Sequence, residues 1–446
     1  MEILLTITYS LLFIFIINKW NFFSIQGVSR KSIIAVFIVK VFFGVLLGLI
    51  YTYYYTSRAD ADIYKYFDDS KILFSAFFTH PKHFFQMLSG IDSDADNLHP
   101  YYQTMNNWYN RYNVYNDNRT MIKLNAILRF VSFGHYYVHS VFMCFLSLIG
   151  LTGILKVFNA ILVNKSKILF AIVFLIPSVL FWTSGMIKDG LLVFAFGVLF
   201  YNFHKLLKND FSVKTLAAIL FSFYLLTLIK LYVLLIIFPG LIAYYWSYKT
   251  NLKWVGLKFA LIYFIAMVAL FNIEKVLPQY NFKESLSDKQ HNFIAISKVT
   301  KIGSFIDIQL IEPNTISILK AVPSAIANLL FRPYLSEARS PFILLAAVEN
   351  VAILLMIALC ILSYNPANKI RESLFYFSIY FVVLLYALTG LVTPIMGAFV
   401  RYKVPALPFL LVIFVFMFDQ ETLLKRIPLL GKLVNKILNT NLSKSK

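Results

Sequence analysis

Apolar runs long enough to meet a bilayer recur along the whole chain, and this pattern limits the fold more than any motif does. They cover Ile3–Asn18, Ile33–Tyr55, His135–Phe158, Ile168–Thr183, Gly190–Phe203, Leu216–Ile229, Tyr232–Trp246, Val255–Phe271, Ile343–Leu362, Leu374–Met396 and Val404–Phe418. A full span needs about 20 apolar residues. Inside lipid only helices and closed barrels satisfy their own backbone, and apolar runs of this length without alternation specify helices. The expectation is an all-α polytopic membrane protein of about eleven transmembrane helices, with a single integral membrane domain over residues 1–419. Several runs are short, so they extend into flanking polar residues or pair as bent hairpins. Pro177 and Pro239 are expected to kink two of them. Charged residues make up 14% of the chain, against roughly 25% in soluble domains.

The formal net charge of +20 invites a nucleic-acid reading. Topology explains it better, and no nucleic-acid-binding pattern is present. Lys19, Arg30 and Lys31 follow the first run, Lys165 and Lys167 the third, Lys205, Lys208 and Lys214 the fifth, Lys249 and Lys253 the seventh, Lys369 and Arg371 the ninth. By the positive-inside rule these loops are cytoplasmic. The N-terminus is then outside, the C-terminus inside, and a bacterial inner membrane is the expected location. Residues 420–446 form a basic, leucine-bearing tail expected to lie on anionic membrane lipid. The first run has no basic n-region and no small-residue cleavage site, so it reads as a retained helix. Cys144 and Cys360 fall inside apolar runs and read as small core residues.

Two long polar stretches, about 57–121 and 272–341, are then extracytoplasmic loops. Long loops between apolar segments usually carry function. The first opens with Asp60 and Asp62, which point the same way in extended chain and diverge in a helix. The following Tyr64, Tyr66, Phe67 and Leu73 predict a helix starting near Asp62 and lying along the membrane. One of the two acids then sits at a helix N-terminus, either as a cap or as a general base above the bilayer. Lys188 and Asp189 occupy an outer hairpin. Arg332, Arg401 and Lys403 are cations on the face that topology does not require to be basic. Arginine grips phosphate bidentately and lysine supplies a point charge, so these residues suit phosphate or pyrophosphate; each also admits plain surface charge. Glu349 lies inside a span, as a functional acid or as the buried partner of Arg332 or Arg401. His135 and His139 share a helix face but lack further zinc ligands. No nucleotide-binding motif occurs. No cofactor is expected; nothing points to a metal, and a divalent cation is left open.

Together these residues resemble the GT-C class of integral-membrane glycosyltransferases. The D-A-D-I-Y opening, Asp60 to Tyr64, looks like the acidic element of that class, placed shortly before a tyrosine in its first external loop. The R-Y-K-V-P-A-L-P stretch, Arg401 to Pro408, looks like an element near the last helices of its mannosyl- and aminoarabinose-transferring branches. The resemblance implies a sugar donor on a polyprenyl phosphate and a lipid-linked or surface glycan acceptor. It further implies an acid that activates the acceptor hydroxyl, with Tyr64 beside the substrate, and basic residues that hold the phosphate. The usual adjacent Asp-Glu pair is replaced by Asp60-Ala-Asp62, which leaves the choice of base open. Polysaccharide repeat-unit polymerases share this layout. A transporter or flippase of lipid-linked substrates is the reading from another class, though its charges would gather near the midplane.

Overall fold

The computed structural model describes residues 1–55, 58, 61–106, 108, 117–299, 303–366 and 370–429. The chain is an all-α polytopic membrane protein: among the described residues eight helices are long and apolar enough to cross a bilayer, with two shorter apolar helices besides. It divides into two compact units, Met1–Leu234 and Leu235–Lys446.

The first unit begins with α1 (Glu2–Lys19) and α2 (Arg30–Leu49), the latter continued by a π-helical turn at Ile50–Tyr54. A polar layer follows: α3 (Asp62–Thr79), α4 (Pro81–Ser89), α5 (His99–Gln103) and α6 (Asn118–Ser132). The rest is α7 (Tyr136–Ile161), α8 (Ser166–Phe174), α9 (Pro177–Trp182), α10 (Lys188–Leu207) and the start of α11 (Val213–Lys249). Of the apolar window of α7, 78% is buried, against 11% for α1. The former is therefore surrounded by protein, while α1 turns Ile3, Leu4, Ile7, Leu11 and Phe15 outward.

Backbone proximity joins α7 to α10. A Cβ on Gly197 would stand 1.9 Å from the Gly150 carbonyl oxygen, and one on Gly150 would stand 2.2 Å from that of Val193. Small residues at such a crossing let dispersion act over the whole helix face, which is what drives association where lipid removes the hydrophobic term.

The expected span Ile168–Thr183 is instead two short helices, α8 and α9. Pro177 takes the first helical position of α9, where its missing N–H leaves no bond unmade. The two expected runs 216–229 and 232–246 are the two arms of α11, separated where the backbone leaves the helical region at Lys230 (φ −152°, ψ 83°) rather than at Pro239.

The second unit holds α12 (Val255–Phe271), α13 (Phe282–Val299), α14 (Thr315–Phe331), α15 (Pro341–Ser363), α16 (Ser373–Val392), α17 (Met396–Tyr402), α18 (Leu407–Met417) and α19 (Gln420–Arg426). Residues 430–446 of the expected tail lie outside the described residues. The stretch 272–341 is far from a simple loop. Its α14 packs on α16 closely enough that a Cβ on Gly390 would meet the Ala325 carbonyl oxygen at 2.3 Å. Ile318, Ala321 and Ala325 of α14 share a core with Leu286, Leu391 and Val392. Buried Gln290 donates to Leu391 O (2.6 Å) and Gln309 O (2.9 Å) and accepts from Ile311 N (2.9 Å), tying three segments together. Between α16 and α17 the freed backbone is satisfied by an extended segment: Ile306 N donates to Pro394 O (2.8 Å) and Met396 N to Ser304 O (2.9 Å).

Candidate functional site

In the first unit the starts of α3, α6 and α10 supply one polar cluster with the break in α11. The α3 helix begins at Asp62, as its apolar spacing predicts, with Ala61 as a cap that makes no side-chain bond. Its buried face carries Ile63, Tyr66, Phe67 and Leu73, which leaves Asp62 exposed at the first turn. At the start of α10, Lys188 Nζ lies 2.7 Å from Asp117 Oδ1 and donates to Asn118 Oδ1 at 2.6 Å. The same Asn118 oxygen accepts from the Tyr66 hydroxyl at 3.0 Å, and the Tyr66 ring lies 5.6 Å from the ammonium. Asp62 and Lys230 also act on Lys188 through their charge.

Asp189 is fully buried, and its Oδ1 faces Lys230 Nζ at 3.3 Å. The non-helical residue of α11 thus carries the counter-charge of an acid at the head of α10. Thr120 Oγ1 of α6 donates to Leu228 O at 3.0 Å, just before that break. An uncompensated carboxylate at Asp189 would be strongly unfavourable, so this pair holds α10 and α11 in one arrangement.

The cluster therefore has three carboxylates, Asp62, Asp117 and Asp189, and two ammonium groups, Lys188 and Lys230. Their states differ. Asp189 and Lys230 are closed off. Lys188 has two of its three N–H groups engaged by Asp117 and Asn118, which leaves one without a protein acceptor among the described residues. Asp62 makes no side-chain hydrogen bond or ion pair among the described residues and is solvent-accessible. Of the three carboxylates it is the one without a protein partner among the described residues. Asp60 lies outside the described residues.

Tyr64 is placed differently from a substrate contact. It is 3% exposed, its hydroxyl donates to Gly48 O at 3.0 Å and shares a bond with Thr52 Oγ1 at 2.6 Å, and its ring packs on Tyr136. It anchors α3 to α2. From the opposite side Arg129 of α6 reaches under α3. Its Nε donates to Ser70 Oγ at 2.8 Å, a terminal nitrogen donates to Phe67 O, and the guanidinium sits 4.2 Å from the Phe67 ring centroid. Burial brings its pKa from 12.5 down to about 10, so it stays ionised at neutral pH. Buried Asp69 accepts from the backbone and side-chain nitrogens of Asn106 at 2.7 and 2.8 Å, fixing the end of the polar layer.

Beneath this layer is a site that the sequence reading passed over. Lys40, midway along α2, is fully buried, and its ammonium donates to the Thr183 hydroxyl, Thr183 O and Ser184 Oγ. These acceptors belong to the unwound segment between α9 and α10. Thr183 O also accepts from Ser147 Oγ at 2.7 Å. The ammonium thus caps the negative end of α9 where a break in the helix frees backbone oxygens. A lysine in the middle of an apolar run was the available signal. His139 is likewise committed, bonded to Ser132 Oγ (2.6 Å) and Asn125 Oδ1 (2.7 Å).

In the second unit, Glu349 and Lys403 come together. Lys403, 2% exposed, donates to Asn350 Oδ1 and feels the charge of Glu349. Asn350 Nδ2 lies 3.4 Å from Pro333 O. Lys403 is therefore an internal tie of α15 to α17, and it is a partner of Glu349 that sequence reasoning did not name. Arg332 Nε faces Glu337 Oε1 at 3.2 Å, and Arg401 is half-buried with contacts inside the fold. Comparison with known proteins finds no family model, no curated protein and no solved structure that matches the chain.

Proposed function

We propose that the chain is a membrane glycosyltransferase of GT-C type, moving a sugar from a polyprenyl-phosphate donor to a lipid-linked or surface glycan acceptor. The reaction takes place on the outer face of a bacterial inner membrane, with the N-terminus outside and the C-terminus in the cytoplasm. The observation that carries the reading is the exposed, uncommitted Asp62 carboxylate within electrostatic reach of Lys188, whose ammonium keeps one N–H without a protein acceptor among the described residues.

In this mechanism Asp62 takes the proton of the acceptor hydroxyl as its oxygen bonds to the anomeric carbon of the donor sugar. The bond from that carbon to the lipid phosphate breaks, and Lys188 stabilises the charge that builds on the departing phosphate. Asp117, Asn118 and Tyr66 hold the ammonium in place, so little reorganisation accompanies the reaction. Asp189 and Lys230 fix the head of α10 from which Lys188 projects. No nucleotide is needed at such a site. A repeat-unit polymerase would use the same chemistry with a longer donor glycan.

A transporter of lipid-linked substrates is the competing reading, and one observation favours it: a broken helix with a buried lysine is how transporters build midplane sites. Against it, the acceptors of Lys40 are all protein atoms of the break itself, which fits a structural cap better than a cargo site. The test is to make Asp60→Asn and Asp62→Asn separately and to assay glycan product and lipid-linked substrate transport in membranes. Full product from both variants with impaired transport would overturn the enzyme reading.

A further inference from the structure

The second unit contains a pocket of about 240 Å³ that the proposed sugar transfer does not use. It is lined by the 303–306 segment and by residues of the Arg332–Arg339 loop, together with Ile343 and Met396. The 303–306 segment is fixed by the backbone bonds that pair it with the 394–396 break, so the pocket does not depend on a free loop.

Arg332 is the half-buried cation of this pocket, set against Glu337 and lying 5.7 Å from the Tyr334 ring, while Arg339 is exposed. The guanidinium of Arg339 has no hydrogen bond or ion pair among the described residues, and neither terminal nitrogen of Arg332 has one. Arg332 Nε is buried and lacks hydrogen-bond geometry to any acceptor, Glu337 at 3.2 Å included. The hydroxyls of Ser304 and Ser336 are equally uncommitted. Glu337 is the one acid present, and its Oε2 is turned to the loop, accepting from Tyr334 N at 3.0 Å. The residues lining the pocket thus carry two guanidinium forks and two hydroxyls with one net positive charge. Two forks and two hydroxyls exceed what the two oxygens of a planar carboxylate can accept, whereas a tetrahedral phosphate offers an edge to each fork.

We infer that this pocket binds a phosphate group, with Arg332 and Arg339 as paired clamps and Glu337 as the competing internal anion. The ligand is a soluble phosphate or a phosphate-bearing lipid head group. The inference stands apart from the chemistry at Asp62, since binding is measured without turnover.

The experiment uses the full chain in phosphatidylcholine nanodiscs. Inorganic pyrophosphate is titrated by calorimetry. In parallel, nanodiscs doped with phosphatidic acid are analysed by native mass spectrometry for retained lipid. Saturable pyrophosphate binding identifies a soluble source; retention of phosphatidic acid without pyrophosphate binding identifies a lipid source. In whichever arm binds, Arg339→Gln weakens binding by about tenfold or more, as expected for loss of hydrogen bonds to a charged group. Glu337→Gln strengthens it, because Arg332 is then released while the amide oxygen still accepts from Tyr334. Arg339 has no internal partner for its guanidinium among the described residues, so its variant tests binding without unfolding the loop. Failure of both probes to bind, or equal binding by wild type and Arg339→Gln, overturns the inference.

Discussion

Replacing Arg129 by Met isolates what holds the proposed catalytic helix in place. The guanidinium is 7% exposed and joins α6 to α3 through Ser70 Oγ, Phe67 O and the Phe67 ring. Methionine fills much of the same volume and keeps a sulfur contact with the ring, so the loss is mainly of the polar contacts. Two hydrogen bonds to a charged group contribute about 1.5–3 kcal/mol each. Taking the low end, because Phe67 O and Ser70 keep each other as partners, α3 loses about 3 kcal/mol of docking. That raises its open fraction on the order of 100-fold. Hydrogen exchange read by mass spectrometry should show faster exchange in peptides from 62–79, with α7 and α10 protected as before. Arg129→Lys should fall between the two, since it keeps the charge and loses the fork. Unchanged exchange in α3, or equal loss of protection in α7 and α10, would refute the local anchoring described here.

The other predictions concern charge, packing and chemistry. Asp62→Asn should lower glycan product about 10²–10⁴-fold, the usual worth of a general base, with the melting temperature unmoved; normal product in membranes carrying this variant would count against its role. Gly197→Val must push α7 and α10 apart by about 1.5 Å to bring its Cβ from 1.9 Å to ordinary contact with Gly150. Overpacking of this kind destabilises by about 1–3 kcal/mol or more, visible as a lower melting temperature in detergent. Asp189→Asn breaks the buried ion pair with Lys230 and should destabilise by about 3–5 kcal/mol, whereas a neutral outcome in chemical unfolding would show the pair to be dispensable. Lys123 of α6 is lowered from 10.5 to about 8, by burial first and then by Arg119. The folded state therefore binds fewer protons than the unfolded state between about pH 8 and 10.5. Stability should rise with pH across that window and lack this rise in Lys123→Met, as melts at stepped pH would show.

Helices such as α2 and α7 were legible because their apolar runs are long, and the shorter α12 falls on the run Val255–Phe271 itself, whereas Ile168–Thr183 is divided at Pro177. The start of α3 at Asp62 was legible too, since Tyr66, Phe67 and Leu73 repeat at helical spacing. What sequence could not give was pairing across distance. Lys230 lies between the runs Leu216–Ile229 and Tyr232–Trp246, and nothing local names Asp189 as its partner. Asp117 and Asn118 looked like the end of a polar loop, and only folding brings them to Lys188. Tyr64 was read as a substrate contact because it follows the acids, while the pull of Gly48 and Thr52 on its hydroxyl is a tertiary fact. The α14 helix was absorbed into a loop because Lys320, Pro323 and Ser324 dilute its apolar pattern. Packing on Gly390 and Leu391 makes it helical in context.

The central claim is that this chain adds sugar to a lipid-linked or surface glycan. Mass spectrometry of both glycan pools from membranes with and without the chain tests it most directly. The account predicts that, without the chain, the acceptor accumulates short by at least one sugar and the loaded polyprenyl-phosphate donor builds up. Identical glycan masses and donor levels in the two samples would contradict it.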